Sequence, residues 1–298
     1  MQEQPNAIYL VTGINEPYLS RADPYIASMN RNSNVHNVVI TLDFEIPRKY
    51  LESYRSIQFL PVSSSQVKSP NANSCMQHGG FLAALDFLRE KDILIYTDAD
   101  IEVQRHISDQ ELDLLCSFQD DEIGVGYNRS KEDYLLEEAG RLGPAIAMRD
   151  LAARYPGIDA LVTYNTGVLV ANYATYKRLY DMYNQHWPDF AGLFDHYAKQ
   201  QWLLSYLVNK HLRPRLLPST FHTHGHHPVA LRVRDESGYK FCIGSELVLL
   251  NHALCHETER LERRIRTLQR HLRRWATASV VLVLVCLLLL WRLVASAS

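Results

Sequence analysis

Apolar and polar positions along the chain fall into blocks of two periods. "AIYLVTG" (7–13), "HNVVITLDF" (36–44), "SIQFLPV" (56–62) and "ILIYTDADIEV" (93–103) are nearly continuous apolar or β-branched runs. They predict strands buried on both faces, as in an α/β sheet. "EIGVGYN" (122–128), "ALVTYNTGVLVAN" (160–172), "RLLPSTF" (215–221) and "ELVLLNHAL" (246–254) read as later strands. Helical spacing places Phe81, Ala84, Leu85 and Leu88 on one face of "QHGGFLAALDFLRE" (77–90). "YATYKRLYDMYNQHW" (173–187) and "FDHYAKQQWLLSYLVNKHL" (194–212) read as helices, while "INEPYLSRADPYIASMNRNSN" (14–34) mixes loop and helix signals around two prolines. Strands alternate with helices early and irregularly later. The expectation is one α/β domain over 1–256, with a Rossmann-type, mostly parallel sheet flanked by helices.

The pattern changes beyond it. In "ERLERRIRTLQRHLRRW", Leu261, Ile265, Leu268, Leu272 and Trp275 form a helical stripe and seven Arg occupy the other faces. This predicts a basic amphipathic helix over 257–275. It could lie on an anionic membrane surface, or pair with a second copy as a short coiled coil in a homodimer. "ATASVVLVLVCLLLLW" (276–291) holds no charge, and counting on to Ala295 gives twenty residues. A helix of that length is about 30 Å long, the thickness of a bilayer core. The expectation is a single C-terminal membrane anchor, with the flanking arginines holding the body on the cytoplasmic side.

Charge supports the division. From Arg260 onward there are eight Arg and one Glu, net +7, so residues 1–259 carry −9 of the formal −2 total. An acidic body argues against nucleic acid as a partner. The five cysteines (75, 116, 242, 255, 286) form no CxxC pair, which suits a reducing compartment better than a disulfide framework. "MQEQPNAIYLVTG" lacks the basic segment and long apolar run of a signal peptide.

The chemistry concentrates at "YTDADIEV". Asp98 and Asp100 close an apolar strand at the end where open α/β sheets bind ligands. In a continuing strand, residues two apart share a face, so the two carboxylates would repel each other. A divalent cation relieves that repulsion. Oxygen ligands suit Mg²⁺ or Mn²⁺, which commonly complete their shells with phosphate oxygens.

"YTDADIEV" resembles the D-x-D motif of GT-A-fold glycosyltransferases, most closely those of family eight, the retaining galactosyl- and glucosyltransferase group. "YNTGVLVAN", "AKQQWLLSYL", "RLLPSTF" and "LVLLNHA" match further segments of that family in the same order, over Ala7–His256. The resemblance implies a GT-A-like domain, a UDP-linked nucleotide-sugar donor, and Mn²⁺ or Mg²⁺ on Asp98 and Asp100, with Ala99 beside the donor. It implies a third ligand, His252 by order, with His224 of "FHTHGHHP" as the rival. Asn165 would touch the sugar or acceptor, with Thr166 and Gly167 shaping the backbone. Gln200 would lie beneath the reacting carbon. Lys199 stands where the family has an acid, and Asp195 one turn earlier could substitute, or serve as base if the reaction inverts. The base would lie near Thr12, Gly13, Ile14 and Asn15, with the ribose or phosphates near Gln77 and His78. The tether implies a membrane-proximal or lipid-linked glycan acceptor. The alternatives are a nucleotidyltransferase, for which "VTGINEPYLSRADP" is a poor phosphate loop, and a non-catalytic scaffold.

Deleting 276–298 is expected to release the protein from membranes into the soluble fraction. Continued sedimentation of the shortened protein with membranes would exclude the single anchor.

Overall fold

The computed structural model describes residues 6–66, 79–127, 145–158, 161–192, 199–218, 220–221, 223–224 and 249–251. The early apolar runs become strands β1 (Ile8–Asn15), β2 (His36–Leu42), β3 (Ile57–Val62) and β4 (Ile93–Thr97). They lie parallel in the order β3-β2-β1-β4. The sheet continues past β4 through β7 (Tyr164–Asn172), then β6 (Glu122–Tyr127), then β8 (Arg213–Leu216). Strand β7 is antiparallel to both β4 and β6, and β8 is parallel to β6. One strand of the seven therefore runs against the rest, and the sheet is mostly parallel as the pattern predicts.

The strands are apolar on both faces because both faces are covered. Leu94, Tyr96, Leu169 and Ala171 face one core, with Leu151 of α4 (Ala145–Arg154), Tyr176, Leu179 and Tyr183 of α5 (Tyr173–Ala191), and Trp202 and Leu203 of α6 (Lys199–His211). Their neighbours Ile93, Ile95, Val168 and Val170 face the other. There they meet Ala22, Tyr25, Ile26 and Met29 of α1 (Leu19–Asn32), Tyr50 of α2 (Arg48–Ser53) and Leu115 of α3 (Asp109–Cys116). Each large apolar side chain so buried contributes about 1.5–3 kcal/mol before the entropy of ordering it is set against it.

Three elements differ from the sequence expectation, the first being "RLLPSTF" (215–221), of which only Arg215 and Leu216 are strand, as the end of β8. "QHGGFLAALDFLRE" yields a six-residue 3-10 helix, Gly80–Leu85, rather than an α-helix. Phe81, Leu85 and Leu88 are buried all the same; over so short a run, periods of 3 and 3.6 cannot be told apart. "ILIYTDADIEV" is not one strand. Asp98 starts a turn, and β5 (Ile101–Val103) leaves the main sheet. It pairs antiparallel with β10 (Leu249–Asn251), which pairs parallel with β9 (Thr223–His224). Helices α2, α3 and α4 escape the periodicity analysis. Helix α3 nevertheless carries a legible start in the capping box formed by Ser108 and Glu111.

The chain divides into the units Met1–His252 and Ala253–Ser298. The second lies outside the described residues, and with it the helices expected over 257–275 and 276–295. Among the described residues no helix is long and apolar enough to cross a membrane.

Gly79 opens the 3-10 segment with φ +72°, and a Cβ there would sit 2.4 Å from the ring carbon Cγ of Tyr180. Left-handed backbone and overpacking each cost about 1–2 kcal/mol or more. Gly79→Ala is therefore expected to lower stability by about 3 kcal/mol in urea unfolding, and a loss below 1 kcal/mol would contradict this packing.

Candidate active site

The strand order changes direction at β1. The chain steps out from β1 to β2 and β3, then returns to the other side of β1 as β4. Open α/β sheets bind ligands at the carboxyl ends of strands at such a point. Strands β1 and β4 pair as far as Val11 and Tyr96, and the Thr12 hydroxyl donates to the Thr97 carbonyl at 2.9 Å. Beyond it Gly13, Ile14 and Asn15 remain paired to β2 while β4 turns away at Asp98. A notch opens between the strand ends, with Asp98–Ala99–Asp100 on its rim.

The Asp98 N–H donates to the Gly167 carbonyl at 2.9 Å, which fixes the turn against β7. The Asp98 side chain is open to solvent, Asp100 is half-buried and Ala99 is buried. Strand alternation is not what relates the two carboxylates; a turn does so. Burial pushes the Asp98 carboxyl up, to about 7, and the nearby Asp100 carboxylate pushes in the same direction. A group that meets solvent yet is desolvated by the protein around it lies in a recess. Two hard oxygen donors there, disfavoured as a pair of bare anions, fit a divalent cation.

Asn165 lies beside this turn, though its oxygen is engaged. The buried Asn165 Oδ1 accepts from the Gly167 N–H at 2.7 Å, an Asx-type bond that shapes the backbone. The β6–β7 register jumps here: Val125 pairs with Leu169 and Gly126 with Asn165, so Thr166, Gly167 and Val168 bulge away from β6. Val168 and Gly167 meet Thr97 and Asp98 instead.

Gln200 is half-buried in the first turn of α6. The Ser205 Oγ accepts from the Tyr164 N–H at 2.9 Å, and the Asn209 Nδ2 donates to the Val162 carbonyl at 2.9 Å, so α6 runs antiparallel to β7. Four helical residues rise about 6 Å, nearly the length of two strand residues. By that measure Gln201, four before Ser205, comes level with Thr166, and Gln200 stands at the same end. The Lys199 Nζ sits 5.9 Å from the centroid of Trp187 on α5.

Of the remaining expected contacts, Thr12 is fully buried and its hydroxyl is structural. Gly13 pairs with Ile40 of β2, beyond the last β1–β4 pair. The Asn15 Oδ1 accepts from the Tyr18 N–H at 3.1 Å and caps a 3-10 turn, Glu16–Tyr18. The backbone register Ile101–Asn251–His224 crosses the small sheet in one row. It starts directly after Asp100, ends at His224, and includes the residue before His252. His252 itself, Asp195, Gln77 and His78 lie outside the described residues. Among the described residues no three His, Cys, Asp or Glu side chains form a metal cluster.

Sequence reasoning missed the polar layer beneath the turn. The Tyr25 hydroxyl pairs with the Thr97 Oγ1, and the Val103 N–H donates to the Ser28 Oγ. The signal was present: Tyr25, Ser28 and Asn32, spaced three and four apart, are polar positions on the face that also carries Ala22 and Met29.

No family model matches the sequence, and no curated protein matches it significantly. Solved structures do. A galactosyltransferase, LgtC, in complex with donor and acceptor sugar analogues aligns with a TM-score of 0.51 at 13% identity, over 82% of this chain and 87% of that one. Mouse xyloside xylosyltransferase 1 in its apo form aligns at 0.52 and 11% identity, over 84% and 98%. The bifunctional glycosyltransferase WbbM aligns at 0.54 and 11% identity, over 85% of this chain and 47% of that one. The fold is thus GT-A-like, a mixed α/β architecture that this chain has in common with glycosyltransferases.

The raised Asp98 carboxyl carries a signed pH effect. Between about pH 4 and 7 the native group holds a proton that the unfolded chain has released, so the stability of the metal-free protein falls as pH rises through that window. Exposure to solvent keeps the effect modest. The metal-free Tm is expected to drop across this range in wild type and to drop less in Asp98→Asn; parallel curves would contradict the assignment.

Proposed function

We propose that the protein is a glycosyltransferase that moves a sugar from a nucleotide-sugar donor, UDP-linked in our reading, to a membrane-proximal or lipid-linked glycan. The observation that carries this reading is the Asp98–Ala99–Asp100 turn at the β1/β4 switch point, bonded through Asp98 to the Gly167 carbonyl. The GT-A-like fold supports it.

Asp98 and Asp100 would hold Mn²⁺ or Mg²⁺, with His252 or His224 as the third protein ligand. Such a cation, when bound, neutralises charge developing on a departing diphosphate. The chain's own residues do the rest. Gly13 and Asn15 border the notch that receives the nucleotide. The Asn165–Gly167 bond holds the bulge of β7 beside the leaving group, so the donors and acceptors of that backbone need no rearrangement during reaction. Gln200, an amide without basic character, can stabilise positive charge on the reacting sugar but cannot take a proton. That suits retention, with the acceptor hydroxyl entering from the leaving-group face; inversion would require a carboxylate base, and Asp195 is the candidate. The basic helix and apolar tail would hold the body at the cytoplasmic face of a membrane, where a lipid-linked acceptor is within reach.

The full chain, offered a panel of nucleotide sugars with and without Mn²⁺, is expected to release nucleoside diphosphate only with the metal. Asp98→Asn is expected to reduce that rate about a thousandfold, the scale of losing one electrostatic stabiliser of a leaving group. Absence of turnover together with absence of Mn²⁺-dependent UDP binding would refute the proposal, as would an Asp98→Asn protein with wild-type rates.

A further inference from the structure

Helix α1 carries an unusual buried surface. Its inward face contributes Ala22, Tyr25, Ile26 and Met29 to the core, and Ser28 is fully buried among them. Polar groups are tolerated in such a place only when bonded, and Tyr25, Ser28 and Asn32 each bond to the segment that carries the two aspartates. The Tyr25 hydroxyl pairs with the Thr97 Oγ1, one residue before Asp98. The Ser28 hydroxyl donates to the Tyr25 carbonyl at 2.7 Å, which orients its lone pairs outward, and it accepts from the Val103 N–H at 2.9 Å. The Asn32 Nδ2 donates to the Val103 carbonyl at 2.7 Å. Asn34, just past the helix, repeats the pattern: its Nδ2 donates to the Ile107 carbonyl at 2.8 Å and its Oδ1 accepts from the Ile107 N–H at 2.9 Å.

Val103 thus has both backbone groups satisfied by side chains of one helix, as a neighbouring strand would satisfy them. Strand β5 lies between α1 on one edge and β10 on the other. The geometry also closes the turn. Six residues from Thr97 to Val103 would span about 20 Å if extended. Their anchors on α1, three and seven residues apart, are separated by about 5–10 Å along the helix axis. Even with the reach of a tyrosine side chain, the intervening chain must fold back, and what it projects as it does so is Asp98–Ala99–Asp100.

We infer that the polar face of α1, through Tyr25, Ser28 and Asn32, is the positioning element that sets the geometry of the Asp98/Asp100 cation site and so its affinity and its preference for ion size. These are positioning residues, since their hydrogen bonds go to Thr97 and Val103 rather than to Asp98 or Asp100. The inference rests on the proposed metal-dependent glycosyltransferase reading. The same helix holds β5, whose row leads to His224 and to the residue before His252, so the aspartates and the third-ligand strands share one support.

The test is direct titration of the full chain with Mn²⁺ and, separately, with Ca²⁺, by calorimetry or by loss of the free Mn²⁺ resonance. No turnover is required. Ca²⁺ takes oxygen ligands at about 2.3–2.6 Å in flexible geometry and is larger than Mn²⁺, so a loosened turn shifts the ratio of the two affinities. Ser28→Ala is expected to weaken Mn²⁺ binding about tenfold, the scale of outer-shell substitutions at metal sites, and to weaken Ca²⁺ binding less. Tyr25→Phe preserves the ring and its packing, removes only the bond to Thr97, and is expected to act in the same direction. Ile26→Val, on the same helix and fully buried, lowers stability but removes no hydrogen bond to the turn and should leave both constants unchanged. If Ser28→Ala fails to fold, Tyr25→Phe decides. Wild type that binds no divalent ion refutes the metal reading itself. Wild type that binds, with Ser28→Ala and Tyr25→Phe indistinguishable from it or no different from Ile26→Val, overturns the positioning inference alone.

Discussion

The structure depends on how β4 ends. Up to Thr97 it is a fully buried strand, paired to β1 as far as Tyr96 and to β7 as far as Thr97; at Asp98 it ends. The Thr97 carbonyl accepts from Thr12, its hydroxyl pairs with Tyr25, and the next amide, that of Asp98, donates to Gly167. Three neighbouring polar groups, each in a region where an unmet hydrogen bond would cost about 1–3 kcal/mol, thereby find partners on three different elements. Helix α1, strand β1 and strand β7 are held to one point, and that point faces the crevice where the strand order changes direction.

The junction also explains how two carboxylates are tolerated there. Asp98 meets solvent but lies within a desolvating recess, and Asp100 adds repulsion, so the pair is a local cost to the folded chain. Proteins retain such costs where a ligand later relieves them. Among the described residues, the phenols of Tyr25, Tyr96 and Tyr180 lie close enough to feel the Asp98 charge. Phe81 stacks on Tyr96, and Tyr180 meets Phe81 edge-on. Burial raises the phenols of Tyr25, Tyr96 and Tyr180 far out of the physiological range, so they remain neutral. Among the described residues no ion pair to Asp98 is seen.

How far the site could be read from the sequence depends on the range of the interaction concerned. Asp98 and Asp100 were legible because an apolar strand running into two acids is a local pattern. The closeness of "YNTGVLVAN" to them was inferable only by resemblance. In physical terms it comes from antiparallel pairing of β4 with β7 across more than sixty residues, which no local period encodes. The turn at Asp98 was misread as continuing strand because Ile101–Val103 is itself strand-forming; only its partners, β10 and α1, take it out of the main sheet. The role of Asn165 was likewise divided. The residue type suits a ligand contact, and its Oδ1 also accepts from the Gly167 N–H, which tertiary position alone reveals.

The sequence by itself determined the strands of a doubly covered sheet, the acidic pair at the end of one of them, and an acidic body followed by a basic, then apolar, tail. These follow from composition and short-range periodicity, where burial of side chains dominates the choice. The tertiary structure decided which ends meet. It placed the aspartates at the switch point, bulged β7 toward them, brought the start of α6 level with that bulge, and turned the polar residues of α1 from oddities on an apolar face into the supports of the turn. Those outcomes rest on hydrogen bonds between residues distant in sequence. Their value exists only when partner and burial arrive together, and no single stretch of chain contains both.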